Sequence, residues 1–396
     1  STPVLLACNA VNNHFGVGSS SMMSRALGRR DFDTVSRSSA FGFYCSLIFS
    51  LLFSLGCTVF KAPLLTIVGA DSTTSQATAE YLKWTVTFGA APAILNVVMA
   101  YLVRSEGSTM HASIGTMSGC LLNILLDPIF VLPWGFDMGA AGAGLATFLS
   151  NCFACLYFFA LLFVRRGKTY VCVDPRKFCL RRSIVFGVFA VGVPASIQNL
   201  LNVTGMTILN NFTSAYGANA VAAMGISYKI YMIPMYVSQG LGQGIMPLVS
   251  YNYASGNAKR MKHAVTFSAK SILCLMVTIA AIYFAAPGFF VSLFMDNQAI
   301  IDYGSRFLRG FCLGLPFLSI DFLGVGVYQA IGLGRYSLIF AIMRKIVLEI
   351  PALFILNYFA PLYGLAYAQF CAELVLGIAA VITLSRIFKR VEQNAA

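Results

Sequence analysis

Long runs of apolar residues recur along this chain, and short clusters of Arg and Lys separate them. Clear examples are Gly42 to Phe60 and Ser271 to Ala286. A helix needs about 20 mostly apolar residues to cross the hydrocarbon core of a bilayer. Charged residues make up only 10% of the sequence, against about 25% in ordinary soluble domains. The sequence therefore predicts an all-α integral membrane protein that crosses the bilayer many times.

The apolar runs have the lengths of individual membrane spans. They predict eleven transmembrane helices, which lie at 1–27, 36–60, 77–103, 108–132, 138–165, 183–212, 218–253, 260–285, 298–331, 336–357 and 362–388. The longer runs are expected to include turns at the membrane surface.

The formal net charge of +13 is distributed in a way that excludes nucleic acid as the partner. Basic residues concentrate in every second loop, for example at 165–182 and 259–262, whereas 210–221 and 357–363 carry none. Cytoplasmic loops of membrane proteins carry this excess of Lys and Arg. The pattern therefore predicts that the basic loops and the C-terminus face the cytoplasm, and that the partner of the basic surface is the lipid bilayer.

The two halves of the chain repeat each other at a shift of about 224 residues. Pro92 falls on Pro316, and Gly107 falls on Gly332. The helix at 183–212, however, has no counterpart in the first half. The repeat therefore predicts a whole protein with one further N-terminal helix, and two six-helix bundles related by a pseudo-two-fold axis along the membrane normal.

The repeat also sets the expected domains. Residues 1–165 form an N-terminal bundle without its first helix, 166–182 form a cytoplasmic linker, and 183–390 form a C-terminal bundle. Parallel repeats of this kind are typical of transporters, in which substrate sites lie between the halves and access to them alternates.

Three stretches resemble the multidrug and toxic compound extrusion (MATE) family. They read GVGSSSMMSRALGRRD, RSEGSTMHASIGTMSGCLLNILLDPIF and GIMPLVSYNYASGNAKRMKHA. The resemblance covers essentially the whole chain, and the last stretch is most similar to bacterial multidrug members. It implies a monomeric antiporter of the bacterial inner membrane. Such a protein exports bulky, often cationic and aromatic compounds in exchange for Na+ or H+ and uses no other cofactor.

The resemblance also implies cation-coupling residues in the N-terminal bundle. One branch of the family uses an Asn-x-x-x-Asp pair and a Thr, which match Asn123, Asp127 and Thr147. An Asp that the family carries on its first helix has no match in this sequence. Asp127 stands in an apolar run, one helical turn after Asn123. The alternative is that it is simply solvated by headgroups at the end of its span.

A second branch of the family relies on an acidic residue that matches Asp321. Its companion Glu is unmatched, and Gln198 and Asn202 occupy that region. An ionisable side chain within a membrane is costly unless it is paired, solvated or protonated. Asp321 is therefore expected either to handle protons or substrate cations, or to form a structural ion pair with Lys229.

Two further acidic residues lie inside predicted spans. Glu349 follows Lys345 by four residues, which is the spacing of an intrahelical ion pair, and Glu373 has no local partner. Both are candidates for the substrate cavity, together with Asp321, Gln198 and Asn202. The alternative for the two amides is that they join neighbouring helices by hydrogen bonds. Flexible thioethers and aromatic rings suit promiscuous binding of aromatic cations, which adds the candidates Met206, Tyr231 and Met235. The alternative for these three is that they face lipid or fill gaps between helices.

Other classes of function fit less well. A flippase for a lipid-linked saccharide is the nearest alternative, but it would favour a basic cavity for pyrophosphate. A membrane enzyme is disfavoured because His14, His111 and His263 have no second base, nucleophile motif or metal constellation beside them. A passive channel is disfavoured because no filter motif recurs.

Overall fold

The computed structural model describes residues 2–60 and 75–395. These residues form helices joined by turns and irregular loops, and no strand occurs among them. The first helices along the chain are α1 (Thr2–Gly28), α2 (Phe32–Val59), α3 (Ser75–Leu82), α4 (Ala90–Ser105), α5 (Thr109–Val131), α6 (Gly139–Val164) and α7 (Arg182–Ser214). They are followed by α8 (Ala218–Ala254), α9 (Ala258–Ala285), α10 (Pro287–Ser292), α11 (Gln298–Cys312), α12 (Leu315–Ala330), α13 (Gly334–Ile342), α14 (Ile350–Phe359) and α15 (Gly364–Ala395).

The helices lie where the apolar runs predict spans. Within the described residues, seven helices are long and apolar enough to cross a membrane, and counting two bent helix pairs as single spans raises the number to nine. The bent pairs are 75–105 and 298–330. α1 and the segment 334–359 are helical as expected but do not meet the same test of length and hydropathy. The all-helical membrane fold is thus confirmed.

The chain divides into two compact units, Ser1–Ser196 and Ile197–Ala396. The division falls within α7, later than the expected start of the second bundle at 183. The reason is that the first half of α7 packs on α1. Ser196 Oγ donates a hydrogen bond to the carbonyl of Ala10 at 2.6 Å, and Gly18 lies directly against the backbone of Val188.

Small residues bring the helices of the first unit together. A Cβ added at Gly42 would collide with Ser19, and one added at Gly115 would meet the ring of Phe158 at 2.5–2.7 Å. Close backbone approach through small side chains is how helices associate in lipid, where apolar burial provides little drive.

The segment 166–182, expected to be a linker, is hydrogen-bonded to helices of the first unit. Glu106 Oε2 accepts hydrogen bonds from Thr169 Oγ1 at 2.8 Å and from the Tyr170 backbone N–H at 2.7 Å. Farther along, the Tyr44 hydroxyl donates to the carbonyl of Val173 at 2.6 Å. The segment contains one short 3-10 turn, Pro175–Lys177. It is therefore fastened to the helices of the first unit at more than one point.

The second unit is built around α8, α11, α12 and α15. Its core contains the aromatic residues Tyr228, Tyr231, Phe307 and Phe311. Gly242 of α8 lies against α12, where a Cβ would meet the carbonyl of Phe322 at 2.9 Å.

The internal repeat is visible in the backbone of the two units. The bent pairs are bent by 50° in the first unit and by 47° in the second. The breaks fall at Gly89 and at 313–314, which are separated by the shift seen in the sequence. Gly107 and Gly332 also share a left-handed conformation, with φ of 91° and 82°. The matched landmarks therefore mark equivalent structural positions.

Each unit also contains a π-helical segment, Lys83–Phe88 in the first and Met343–Glu349 in the second. The second segment interrupts the predicted span 336–357. A π segment places extra residues in a helical turn and frequently occurs at functional sites. It therefore changes which side chains face the interior.

Candidate functional site

The structure brings the three predicted residues of the first unit together. Asn123 and Asp127 lie on α5, and Thr147 lies on α6. The Asn123 amide is 3.5 Å from Thr147 Oγ1. In the orientation that satisfies both its ends, its nitrogen donates to Asp127 Oδ2 at 3.3 Å and its oxygen accepts from the Thr147 backbone N–H at 3.3 Å.

These three side chains suit a small hard cation, because the atoms that they offer as ligands are oxygens. Asp127 Oδ1 is buried and accepts no hydrogen bond from the described residues. The Thr147 hydroxyl donates to the carbonyl of Ala143 at 2.9 Å, which leaves its oxygen lone pairs available. Asp127, Asn123 and Thr147 could therefore hold a transported Na+, or Asp127 alone could carry a proton.

The second unit holds a cluster of buried charges. Within the described residues, the buried Asp, Glu, Lys and Arg side chains are Asp321, Arg344, Lys345, Glu349 and Glu373. We refer to these five residues as the charge cluster. Three different segments supply them: α12, the π segment Met343–Glu349, and α15.

Arg344 is the central residue of the charge cluster. Its Nη2 contacts Asp321 Oδ2, and its Nε lies 3.2 Å from Glu373 Oε1. The guanidinium also packs over the ring of Phe322, with 4.5 Å from Cζ to the ring centroid. Arg344 is thus the ion-pair partner of both Asp321 and Glu373.

The suggestion that Asp321 forms an ion pair with Lys229 was wrong. Lys229 is exposed on α8, whereas Asp321 is paired with Arg344. Glu373 has no partner on its own helix, and the same arginine pairs with it. Both pairings join residues far apart in sequence, so no local spacing could indicate them.

The intrahelical pair of Lys345 and Glu349 is present as expected. Lys345 Nζ donates to Glu349 Oε2 at 2.6 Å, and both side chains are buried. Gly205 on α7 makes room for the lysine, because a Cβ there would lie 2.8 Å from Nζ.

Tyr231 borders the charge cluster. Gln369 Nε2 donates to its hydroxyl at 2.8 Å, and the phenol interacts electrostatically with Glu373, Glu349 and Arg344. Gln369 stands one turn before Glu373 on α15. Tyr231, Asp321, Glu349 and Glu373 therefore belong to one buried group in the second unit. That they line a substrate cavity stays a prediction.

The other predicted cavity residues lie apart from these pairings. Gln329 Nε2 donates to Gln198 Oε1 at 3.4 Å and to Ser337 Oγ at 3.0 Å, so Gln198 belongs to a polar contact between helices. Met235 is buried in the core of the second unit, and Met206 is half-buried against the same core. Asn202 is half-buried on α7.

Arg344 and Gln369 were missed at the sequence level. The signal for Arg344 was its position inside an apolar run, since a basic residue within a membrane span usually has an acidic partner. Gln369 gave no such signal, because a neutral amide in a membrane helix has many possible roles.

Comparison with known proteins identifies relatives along most of the chain. The MatE family model matches residues 10–129 and 194–355. The multidrug export protein MepA of Staphylococcus aureus (strain MRSA252) is 33% identical over 382 residues, which cover 96% of this chain and 83% of that protein. MepA of Staphylococcus saprophyticus is 31% identical over 400 residues, with coverage of 100% and 86%.

Solved structures share the fold. One is described as the outward-facing conformation of a multidrug resistance MATE family transporter of the MOP superfamily; it superposes with a TM-score of 0.91 at 25% identity, covering 98% of this chain and 87% of that one. Another is a MOP superfamily transporter from Pyrococcus furiosus, described as having a binding pocket of reversed polarity that suggests a different function. It has a TM-score of 0.91 at 25% identity, with coverage of 99% and 87%.

Proposed function

This chain belongs to the MATE family of multi-pass membrane transporters, and from that premise we propose that it is a secondary active antiporter. It exports bulky, often cationic and aromatic compounds, drugs and toxins among them, by alternating access. Inward movement of Na+ or H+ drives the export.

The observation that carries the proposal is the buried acidic chemistry within membrane helices. Asp127 lies with Asn123 and Thr147, whose side chains also carry oxygen atoms, in the first unit. Three of the five buried charged residues in the second unit are carboxylates. Ionisable side chains are retained inside a membrane mainly where they serve ion or substrate pathways. An acidic interior attracts cations, which are both the coupling ions and the substrates of the proposed exchange.

The named relatives support the substrate class. MepA of two Staphylococcus species is named a multidrug export protein, and a solved neighbour is described as a multidrug resistance transporter. The aromatic and thioether side chains of Tyr231, Met206 and Met235 suit flat cationic compounds.

The alternative is a flippase for a lipid-linked saccharide. The Pyrococcus furiosus transporter illustrates that pocket polarity varies on this fold. A pyrophosphate group would need an excess of basic side chains, whereas acidic residues are the majority in the charge cluster. The antiporter is therefore favoured.

The proposed location is the bacterial inner membrane. The basic loops, which include 165–182 and 259–262, then face the cytoplasm together with the C-terminus. The protein is proposed to work as a monomer.

The test uses protein reconstituted in liposomes with an imposed Na+ or H+ gradient and a fluorescent aromatic cation as substrate. We expect gradient-driven movement of the cation. Loss in Asp127→Asn but not in Asp321→Asn would assign coupling to the first unit, and the reverse to the second. Failure of both gradients to move any such cation would refute the antiporter and favour the flippase.

A further inference from the structure

The segment 165–182 concentrates positive charge on the surface of the first unit. It contains seven basic residues and one acidic residue, Asp174. Arg165, Lys177 and Arg181 each have a polar or acidic neighbour on the helices. The other four are exposed and form no ion pair with a described residue: Arg166, Lys168, Arg176 and Arg182. We refer to these four residues as the basic patch.

Contacts with α2 fix the path of the segment that carries the patch. Ser39 Oγ accepts a hydrogen bond from the Cys172 backbone N–H at 2.9 Å and donates one to the Cys172 carbonyl at 3.0 Å. The ring of Phe178 stacks on that of Phe41, with centroids 6.3 Å apart and an angle of 7°. Val171 is buried in the core of the unit. The charges are therefore presented from a backbone that the unit holds in place.

The exposure of α2 shows the depth at which the segment lies in the membrane. Farther along α2, apolar side chains are 47–67% exposed, among them Ile48, Leu52 and Val59, whereas residues 38–43 are all buried. About 20 helical residues cross the hydrocarbon core, so a core that ends near Val59 begins near Ser39, which binds the segment. The segment therefore lies at the level of the lipid headgroups.

Exposed apolar side chains accompany the charges. The rings of Phe32 and Tyr170 stack with centroids 5.6 Å apart, and both rings are half-exposed. Leu180 is exposed, and the guanidinium of Arg182 lies 5.3 Å from the ring of Phe186, which is exposed on α7. Aromatic rings are enriched where a protein meets the membrane surface, and long basic side chains there lay their stems along apolar surface.

This combination selects the kind of ligand. Clusters of about four to eight Lys and Arg residues beside a transmembrane helix attract anionic lipids. A soluble polyanion would contact the charges but would leave Leu180 and the rings in water. An anionic phospholipid contacts both, because its phosphate is joined to acyl chains.

We propose that the basic patch binds the phosphate groups of anionic phospholipids, whose acyl chains lie along the exposed apolar side chains beside it. This inference goes beyond the proposed transport function and does not depend on it. In the orientation proposed above, these lipids belong to the cytoplasmic leaflet.

The test measures lipid binding to purified, delipidated protein in detergent by native mass spectrometry. Phosphatidylglycerol and phosphatidylcholine with the same acyl chains are added in turn, and we expect the wild type to retain phosphatidylglycerol preferentially. A variant with Gln at all four positions of the basic patch should bind phosphatidylglycerol about tenfold more weakly, because each basic residue near an anionic lipid adds to the attraction.

The matched control removes the same charge from the second unit. It places Gln at four exposed basic residues that form no ion pair with a described residue: Lys259, Arg260, Lys389 and Arg390. This control should keep the affinity of the wild type. A third variant, with Lys at the three arginines of the basic patch, retains the charge and should also bind. Thermal unfolding midpoints without added lipid establish that each variant is folded.

Trypsin locates the binding site in the wild type. Phosphatidylglycerol should slow cleavage within 165–182, whereas phosphatidylcholine and inorganic phosphate should not. Equal retention of the two lipids, an equal loss of affinity in the matched control, or protection by inorganic phosphate alone would overturn the inference. None of these measurements involves transport, so the antiporter can fail its own test while the lipid site stands, and the reverse.

Discussion

Arg344 contacts Asp321 across two helices, and their side chains are only 2% and 0% exposed. Removing one partner of a buried ion pair leaves an uncompensated charge, which costs about 3–5 kcal/mol. Arg344→Gln should therefore lower the thermal unfolding midpoint in detergent substantially. The double variant Arg344→Gln/Asp321→Asn should recover most of the loss, because it removes one positive and one negative charge together and leaves no carboxylate at 321 without its partner. Equal losses in the single and double variants would contradict this account.

Gly205 provides the space in which Lys345 reaches Glu349. Gly205→Ala would place a Cβ within 2.8–3.0 Å of the Lys345 side chain. Overpacking of this kind costs about 1–3 kcal/mol, which a denaturation curve would detect. The control is Gly244→Ala on α8, whose Cβ would meet nothing within 4 Å. If both variants lose the same stability, Lys345 is not constrained by Gly205.

Thr147 tests the proposed cation site of the first unit. Thr147→Ala removes a hydroxyl oxygen, and we expect the Na+ concentration for half-maximal transport to rise on the order of tenfold, or about 1.4 kcal/mol. Thr147→Ser keeps the oxygen and should stay near the wild type. Equal shifts in the two variants would assign Thr147 to packing instead. Transport driven by H+ alone should be insensitive to this pair.

Gly107 and Gly332 occupy equivalent positions of the repeat, and both have positive φ. Alanine is strained in this conformation, so each Gly→Ala variant should lose about 1–2 kcal/mol of stability. Gly56→Ala, in a helix with open space around it, should instead gain about 0.5–1 kcal/mol. Unequal effects at 107 and 332 would argue against structural equivalence of the two turns.

Glu106 fastens the segment that contains Thr169 and Tyr170. Glu106→Ala removes the acceptor of both hydrogen bonds, so the basic residues of 165–182 should be cut faster by trypsin. The rate of cleavage in solubilised protein measures the effect. Glu392→Ala, which removes an exposed partner of Lys262, serves as the matched control and should leave cleavage of this segment unchanged.

Much of the fold could be predicted because bilayer thickness sets helix length. The apolar runs gave the positions of the helices, and the shift of about 224 residues anticipated that Gly107 and Gly332 are equivalent. The bend at Gly89 was not predicted, and hydropathy does not mark the one at 313–314 either. The runs on both sides of each break are apolar, so hydropathy continues through it.

The site was predicted where its contacts are local or match a motif. The spacing of Lys345 and Glu349 indicated their pair, and the family resemblance placed Thr147 beside Asn123. Arg344 was missed because its partners lie on α12 and α15. The π segment is a second reason. Its residues do not follow the 3.6-residue period of an α-helix, so that period does not predict the helix face on which Arg344 lies.

The two units have similar bends in their paired helices, but they differ in where buried charges lie. A duplicated scaffold retains its turns because both copies need the same backbone geometry. The charge cluster of Asp321, Arg344, Lys345, Glu349 and Glu373 belongs to only one copy. Within the part of the chain that the structure describes, the halves have therefore become specialised. At most positions of the first half, a substitution that alters charge changes the solvation of one side chain. At these five positions it changes the charge balance of the whole cluster.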